Sequence, residues 1–106
     1  MEHFINRERA HETRFQHQQL IEYKILARRN RLLGLWAAEL LKMPSDQVEL
    51  YTKKMITSIM CTVDGMHIIA QISSDLKQSG VDISENRVRK QLNYFYKDAL
   101  LQISSE

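Results

Sequence analysis

The segment from Gln18 to Lys42 constrains the fold of this chain more than any other. It contains no proline, and most of its residues are good helix formers, so a long helix is its favoured conformation. Leu26, Leu33 and Leu40 lie seven residues apart and form one apolar seam along that helix. Because Gly34 costs roughly 1 kcal/mol relative to alanine inside a helix, we expect a neighbouring helix to approach closely at this glycine.

The N-terminal half of this helix is basic. Arg28, Arg29 and Arg31 spread around most of its circumference, and Lys24 lies one turn earlier. We expect this half to be partly solvated, either as a face that pairs with nearby acids or as a site for phosphates or bidentate ion pairs. A small nucleic-acid binder is a further hypothesis, although a net charge of +2 is too small to indicate nucleic acid by itself.

Chain-breaking residues divide the remaining sequence into three shorter helices. Proline disfavours helix in the residue before it, so the first helix should end at Met43 and Pro44. The second helix should begin at Asp46, with Ser45 as the competing cap, and run to about Thr62. An Asp-Gly pair at residues 64–65 then precedes a third helix over 66–78, and Ser84 caps the last helix.

Each of these helices carries an apolar stripe of helical period, and no segment alternates with period two. The sequence therefore predicts an all-α fold, a four-helix up-and-down bundle with short loops. The core candidates are Val48, Tyr51, Met55, Ile56, Ile59, Ile68, Ile69, Ile72, Leu76, Val88, Leu92, Phe95, Ala99 and Ile103. Gly80 fits the C′ position of the third helix. The aromatic residues Tyr94 and Tyr96 are interpreted as core and boundary.

Residues 1–17 form a separate N-terminal arm in this interpretation, and residues 18–106 form the bundle domain. The arm has few large apolar groups, and Phe4 and Phe15 are eleven residues apart, which places them on one helical stripe roughly 16 Å apart. So few anchors do not offset the ordering entropy of the segment. Two alternatives follow: a flexible or frayed arm that becomes helical in a partner's groove, or a solvated extension of the first helix.

The sequence offers no pattern that indicates an enzyme or a metal site. Its four histidines have no metal-ligand spacing, and the single cysteine, Cys61, has no partner at such spacing. No glycine-rich phosphate loop and no carboxylate pair stand out. No apolar run approaches the ~20 residues of a membrane span, and the charged N-terminus does not resemble a secretory signal. One cysteine also indicates a reducing compartment.

The front of the chain resembles the ATPase inhibitor zeta subunit family of alphaproteobacterial ATP synthases. The similarity is dense over about residues 4–41 and then thins to scattered positions. The matching motifs are Phe4, then Arg7-Glu8-x-Ala10-x-Glu12-x-x-Phe15, then Tyr23-Lys24, and the long block Ala27-Arg28-Arg29-Asn30-Arg31-Leu32-Leu33-Gly34-x-Trp36-Ala37-Ala38.

The resemblance implies a small four-helix protein without enzymatic activity. In such a protein the N-terminal segment enters the catalytic interface between the alpha and beta subunits of the ATP synthase head and blocks ATP hydrolysis. By position, the inhibitory face would be Phe4, Arg7, Glu8, Glu12 and Phe15, and the supporting basic helix would carry Lys24, Arg28, Arg29 and Arg31. Binding of ADP or ATP, and a cytoplasmic location at the inner membrane through the synthase, are implied as well.

Three departures from the family pattern keep an alternative open. Ile5 and Asn6 replace an acidic pair, Gln18 replaces an aspartate, and residues 59–65 replace an acidic, glycine-containing turn. The first two remove negative charge from the arm. The alternative is a degenerate relative that keeps the bundle as a nucleotide- or protein-binding module without inhibition.

Overall fold

The structure, a computed structural model, describes residues 2–57 and 65–106, with side chains described in 16–57 and 65–106. The residues so described form four helices and no strand, which confirms the predicted all-α class. The helices are α1 (Glu2–Leu40), α2 (Ser45–Thr57), α3 (Met66–Gln78) and α4 (Glu85–Ser104). Among the helices in these ranges, none is both long and apolar enough to cross a membrane.

The first helix ends two residues before the predicted Lys42. Lys42 adopts the left-handed conformation with φ 55°, which turns the chain out of the helix. Its N–H donates to the Glu39 carbonyl at 3.1 Å, and the Met43 N–H donates to the Ala38 carbonyl at 3.1 Å. This is the Schellman pair of hydrogen bonds that satisfies the last carbonyls of a helix. Backbone hydrogen bonding therefore ends α1 before the proline is reached.

The second helix begins at Ser45, so both predicted caps, Asp46 and the competing Ser45, lie inside the helix and the prediction is wrong. The Pro44 carbonyl accepts from the N–H groups of Gln47 and Val48, at 2.9 and 3.2 Å, and opens the helix. Asp46 lies instead in the first turn, where a negative charge favours the N-terminal end of the helix dipole. The predicted extension to Thr62, with Ile59 and Cys61, falls on residues 58–64, outside the described residues.

The predicted C-terminal end of α3 and the predicted N-cap of α4 are confirmed. Gly80 lies at C′ of α3 with φ 76°, and the Val81 N–H donates to the Leu76 carbonyl at 2.9 Å. Ser84 caps α4, because its hydroxyl accepts a hydrogen bond from the Arg87 N–H at 3.1 Å. The single short connection between these helices, residues 79–84, is thus capped at both ends, which fixes the position of α4 relative to α3.

The core lies around α1, which packs against α2, α3 and α4. Burying each large apolar side chain contributes roughly 1.5–3 kcal/mol, so this cluster supplies most of the favourable energy. Its members are Leu33, Ala37, Met55, Ile68, Ile69, Ile72, Leu76, Val88 and Leu92. The predicted stripes of α3 and α4 are confirmed, with Phe95 and Ile103 half-buried. Tyr94 is 64% exposed and Tyr96 is 41% exposed, so the assignment of these two residues to the core and its boundary is wrong.

The close approach predicted at Gly34 is the crossing of α1 and α2. A Cβ atom on Gly34 would lie 3.3 Å from Met55 Cγ and 3.5 Å from Thr52 Cα. The glycine therefore lets the two backbones meet with little space between them. Thr52 is buried at this crossing, which the sequence did not predict, and its hydroxyl donates to the Glu49 carbonyl at 2.9 Å. That bond inside α2 satisfies the hydroxyl without a partner on another helix.

Candidate functional site

The first helix continues well beyond the bundle that holds it. With 39 residues, α1 is about 58 Å long, whereas the 20 residues of α4 span about 30 Å. Residues 16–20 are all exposed, and from residue 16 onward, where side chains are described, the first buried one in α1 is that of Ile25. The N-terminal half of α1 therefore projects from the bundle as a single helix.

This projecting half contains every residue of the predicted inhibitory face. Those residues are Phe4, Arg7, Glu8, Glu12 and Phe15, and their backbone belongs to α1. Their side chains lie outside the described residues, so the composition of that face stays a prediction. The predicted boundary between residues 17 and 18 falls within the continuous helix. Both alternatives for the arm, a frayed arm and an extension of the first helix, stay predictions.

Two exposed apolar side chains lie where α1 leaves the bundle. Leu20 is 52% exposed and Tyr23 is 47% exposed, and their spacing of three places them next to each other on the helix surface. The resemblance included Tyr23, but sequence reasoning missed Leu20. The sequence does contain a signal for Leu20, which lies six residues before Leu26. It therefore falls outside the apolar seam, whose members repeat every seven residues. Leu20 and Tyr23, called here the root of the projection, therefore offer an apolar contact separate from the predicted inhibitory face.

Arg28 joins this root to the end of α4. Its guanidinium donates to the Gln102 side-chain oxygen at 2.8 Å and to the Glu106 carboxylate at 3.0 Å. The Glu106 pair is partly solvated, with side-chain exposures of 34% and 56%. Such a pair contributes roughly 0–1 kcal/mol, so it orients the C-terminus more than it stabilises the fold.

Arg29 is not solvated, so the expectation of a partly solvated basic half is wrong at this residue. It is 3% exposed, and Asn30 beside it is 1% exposed. Arg29 Nε donates to Asn30 Oδ1 at 2.9 Å, and Asn30 Nδ2 donates to the Met55 carbonyl at 3.0 Å. Both residues fall on the α1 face that packs against the other helices, which explains their burial. No sequence pattern indicates that Asn30, inside a basic run, connects α1 to α2.

The basic block therefore does not form one common binding face. Arg29 is buried inside the bundle and Arg28 contacts α4, while Lys24 and Arg31 are exposed. A site for phosphate or nucleic acid would need these cations on one accessible surface. The structure distributes them between packing and solvent, and this favours the first interpretation of the run, as a structural and solvated face.

A small cavity lies between the end of α1, α2 and α3. Its volume is about 270 Å³, and it is lined by Leu41, Met43, Tyr51, Lys54, Asp75, Gln78 and Ser79. The Tyr51 hydroxyl donates to Asp75 Oδ2 at 2.8 Å, and Gln71 Nε2 donates to Asp75 Oδ1 at 3.0 Å. Burial, followed by the hydrogen bond to Asp75 and the charge of its carboxylate, raises the pKa of Tyr51 well above its usual range.

This cavity fits an adenine nucleotide poorly. It is smaller than the 300–1,000 Å³ typical of ligand sites, and its one lining cation, Lys54, faces the same space as the Asp75 carboxylate. A bound phosphate would be repelled by that carboxylate. Among the side chains that the structure describes, no group of His, Cys, Asp and Glu is placed to hold a metal ion.

Comparison with known proteins gives one match. A family model described as ATPase inhibitor subunit zeta matches residues 1–102, which is nearly the whole chain. No curated protein and no solved structure matches the chain.

Proposed function

Because this match covers nearly its whole length, the chain belongs to the ATPase inhibitor subunit zeta family, and we propose that it inhibits ATP hydrolysis by the ATP synthase head. In this proposal the N-terminal half of α1 inserts into the catalytic interface between alpha and beta subunits. The protein acts without catalysis of its own, and it reaches the cytoplasmic side of the inner membrane only through the synthase.

The projection of α1 is the observation that carries this proposal. An inhibitor that enters a cleft needs a narrow element that extends beyond the rest of the protein. The rest of the protein is too wide to enter the cleft itself. A single α-helix is about 10–12 Å wide with its side chains, whereas the bundle behind it contains three more helices. The bundle would then stop insertion at a fixed depth, near the exposed Leu20 and Tyr23.

Burial of the two phenylalanines alone does not supply enough free energy for binding. Burying Phe4 and Phe15 would contribute roughly 3–6 kcal/mol together. Association itself costs about 4–15 kcal/mol in lost translational and rotational freedom. Charge pairs from Arg7, Glu8 and Glu12 would therefore have to add to the apolar contacts. If the free arm is partly unfolded, ordering it on binding costs more, which increases the need for contacts at its root.

Inhibition in this mechanism is steric. The catalytic interface of a rotary ATPase must open and close during hydrolysis, and a helix wedged into it prevents closure. The arm needs no chemical group for this, in keeping with a sequence that offers no catalytic pattern.

The direct test is ATP hydrolysis by the isolated ATP synthase head with added full-length protein. We expect saturable inhibition, and we expect the double variant Phe4→Ala/Phe15→Ala to need about 100-fold more protein for the same effect, since a loss of roughly 3 kcal/mol corresponds to this ratio. The control is Leu50→Ala, which removes a large side chain that is 70% exposed on α2, away from the projection.

Two results would contradict the proposal. One is wild-type protein that leaves hydrolysis unchanged at saturating concentration, and the other is an arm variant that inhibits as well as wild type. Unchanged hydrolysis together with chemical-shift changes on titration with ADP or ATP would favour the alternative, a bundle that binds nucleotide without inhibiting.

A further inference from the structure

The outer side of α4 carries a regular stripe of cationic and apolar side chains. The members are spaced 3, 4, 3 and 4 residues apart, so they follow one side of the helix. They are Arg87, Lys90, Tyr94, Lys97 and Leu101, called here the α4 outer stripe. All five are exposed, with Tyr94 at 64% and Leu101 at 68%. Neither α1 nor α3, which pack on other sides of α4, covers this stripe.

The three cations of the stripe form no ion pair with any residue in the described ranges. The two acids of α4, Glu85 and Asp98, do not belong to the stripe, and Asp98 accepts a hydrogen bond from Gln102 at 3.3 Å. The stripe therefore presents three positive charges and no negative one. It also exposes two large apolar side chains, which is the composition of an interface core with a charged rim.

We propose that the α4 outer stripe binds an acidic helix on the ATP synthase head, as a second contact beside the inserted arm. This inference rests on the proposed function. A helix lying along α4 would repeat its contacts every three or four residues, as the stripe does. Tyr94 and Leu101 would pack against apolar residues of that helix, and its carboxylates would pair with the three cations. The contact supplies part of the energy that the arm alone lacks.

Charge and spacing argue against other occupants of the stripe. A second copy of this chain would bring three positive charges against three, and like charges across an interface are unfavourable. A membrane surface requires a continuous apolar face with cations at its edges. The stripe carries only two large apolar side chains, Tyr94 and Leu101, seven residues apart, and these do not make such a face.

The test compares two charge-reversed forms of the full chain for binding to immobilised ATP synthase head. The stripe variant is Lys90→Glu/Lys97→Glu, and the matched control is Lys53→Glu/Lys77→Glu. The control lysines are exposed on α2 and α3, and both variants change the net charge equally. We expect the stripe variant to bind about tenfold more weakly than the control. Its affinity should also depend less on salt between about 0.1 and 0.5 M.

A second variant, Tyr94→Ala/Leu101→Ala, tests the apolar part of the stripe without changing charge, and it too should bind more weakly than wild type. Equal affinity of the stripe variant and the control would overturn the inference while leaving the inhibitory arm intact. A wild-type chain that binds the head through the stripe without inhibiting hydrolysis would contradict the proposed function alone. Failure of the wild type to bind the head would overturn both.

Other probes separate the partner classes. Wild-type protein is also measured against phosphatidylglycerol vesicles and against single-stranded DNA. Binding to either one that the stripe variant loses, with binding to the head unchanged, would overturn the assignment of a protein partner.

Discussion

Replacing Asn30 by alanine tests whether the basic block of α1 is primarily structural. Asn30 is 1% exposed and connects two groups that would otherwise lose a partner. Its amide donates to the Met55 carbonyl at 3.0 Å, and its oxygen accepts from Arg29 Nε at 2.9 Å. No described contact of Asn30 faces the projecting half of α1. A structural role therefore predicts a large effect of Asn30→Ala on the free energy of unfolding.

The size of that effect follows from the two hydrogen bonds. A neutral amide-to-carbonyl bond contributes about 0.5–1.5 kcal/mol, and a bond to a charged group about 1.5–3 kcal/mol. Alanine regains up to about 0.7 kcal/mol through its higher helix propensity. The net loss for Asn30→Ala is thus about 1.3–3.8 kcal/mol. With a total stability of roughly 5–15 kcal/mol for a domain of this kind, the variant should still fold.

Urea unfolding followed by circular dichroism at 222 nm measures this loss, provided the m-value is unchanged. The control is Arg31→Ala, one residue further along α1 but exposed, which should change stability by no more than about 0.5 kcal/mol. A loss below about 1 kcal/mol for Asn30→Ala, or an equal loss for Arg31→Ala, would refute the reasoning.

Three further changes have defined outcomes. Gln19→Pro should break the exposed helix of the projection, which costs roughly 3 kcal/mol there. It should therefore weaken inhibition of the ATPase, whereas the control Gln19→Ala should not. Unchanged inhibition by Gln19→Pro would show that a continuous helix is not needed. Gly34→Leu should destabilise by about 1–3 kcal/mol through overpacking, whereas Gly34→Ala should stay within about 1 kcal/mol, because its Cβ needs only a small shift of Met55; calorimetric melting compares the two. The raised pKa of Tyr51 means that the folded state holds the hydroxyl proton more tightly than the unfolded state. The free energy of unfolding should therefore fall as pH rises above about 10, the usual pKa of tyrosine. Urea unfolding at pH 8 and 11 should show a smaller fall in this free energy for Tyr51→Phe than for wild type.

Local rules were sufficient for most of the fold. The stripes of α3 and α4 follow from helical period, and Ser84 and Gly80 end their helices by backbone hydrogen bonding that depends on neighbouring residues alone. Gly34 could be interpreted correctly because a glycine inside a good helix needs a reason, and a close helix approach is the usual one. These features depend on residues a few positions apart, which a sequence displays directly.

Features that depend on tertiary contacts were missed. Arg29 is buried at the turn where its neighbours Arg28 and Asn30 contact α4 and α2, and a charged residue is rarely assigned to such a position from sequence. Asn30 connects to Met55, 25 residues away, a distance over which no local pattern carries information. Tyr94 lies opposite the buried stripe, where its aromatic character suggested burial but its position on the helix did not.

The block of residues 27–38, which carries the family resemblance, serves mainly to pack α1 against the other helices. Asn30, Leu33, Gly34 and Ala37 are all buried within α1, around its crossing with α2. A chain can therefore keep this block, and with it the bundle, while the projecting arm changes. One departure in this chain falls on the arm, where Ile5 and Asn6 stand within the segment proposed to enter the cleft. It follows that variants of the buried residues of the block should lose stability, whereas variants in the arm should lose inhibition with stability unchanged.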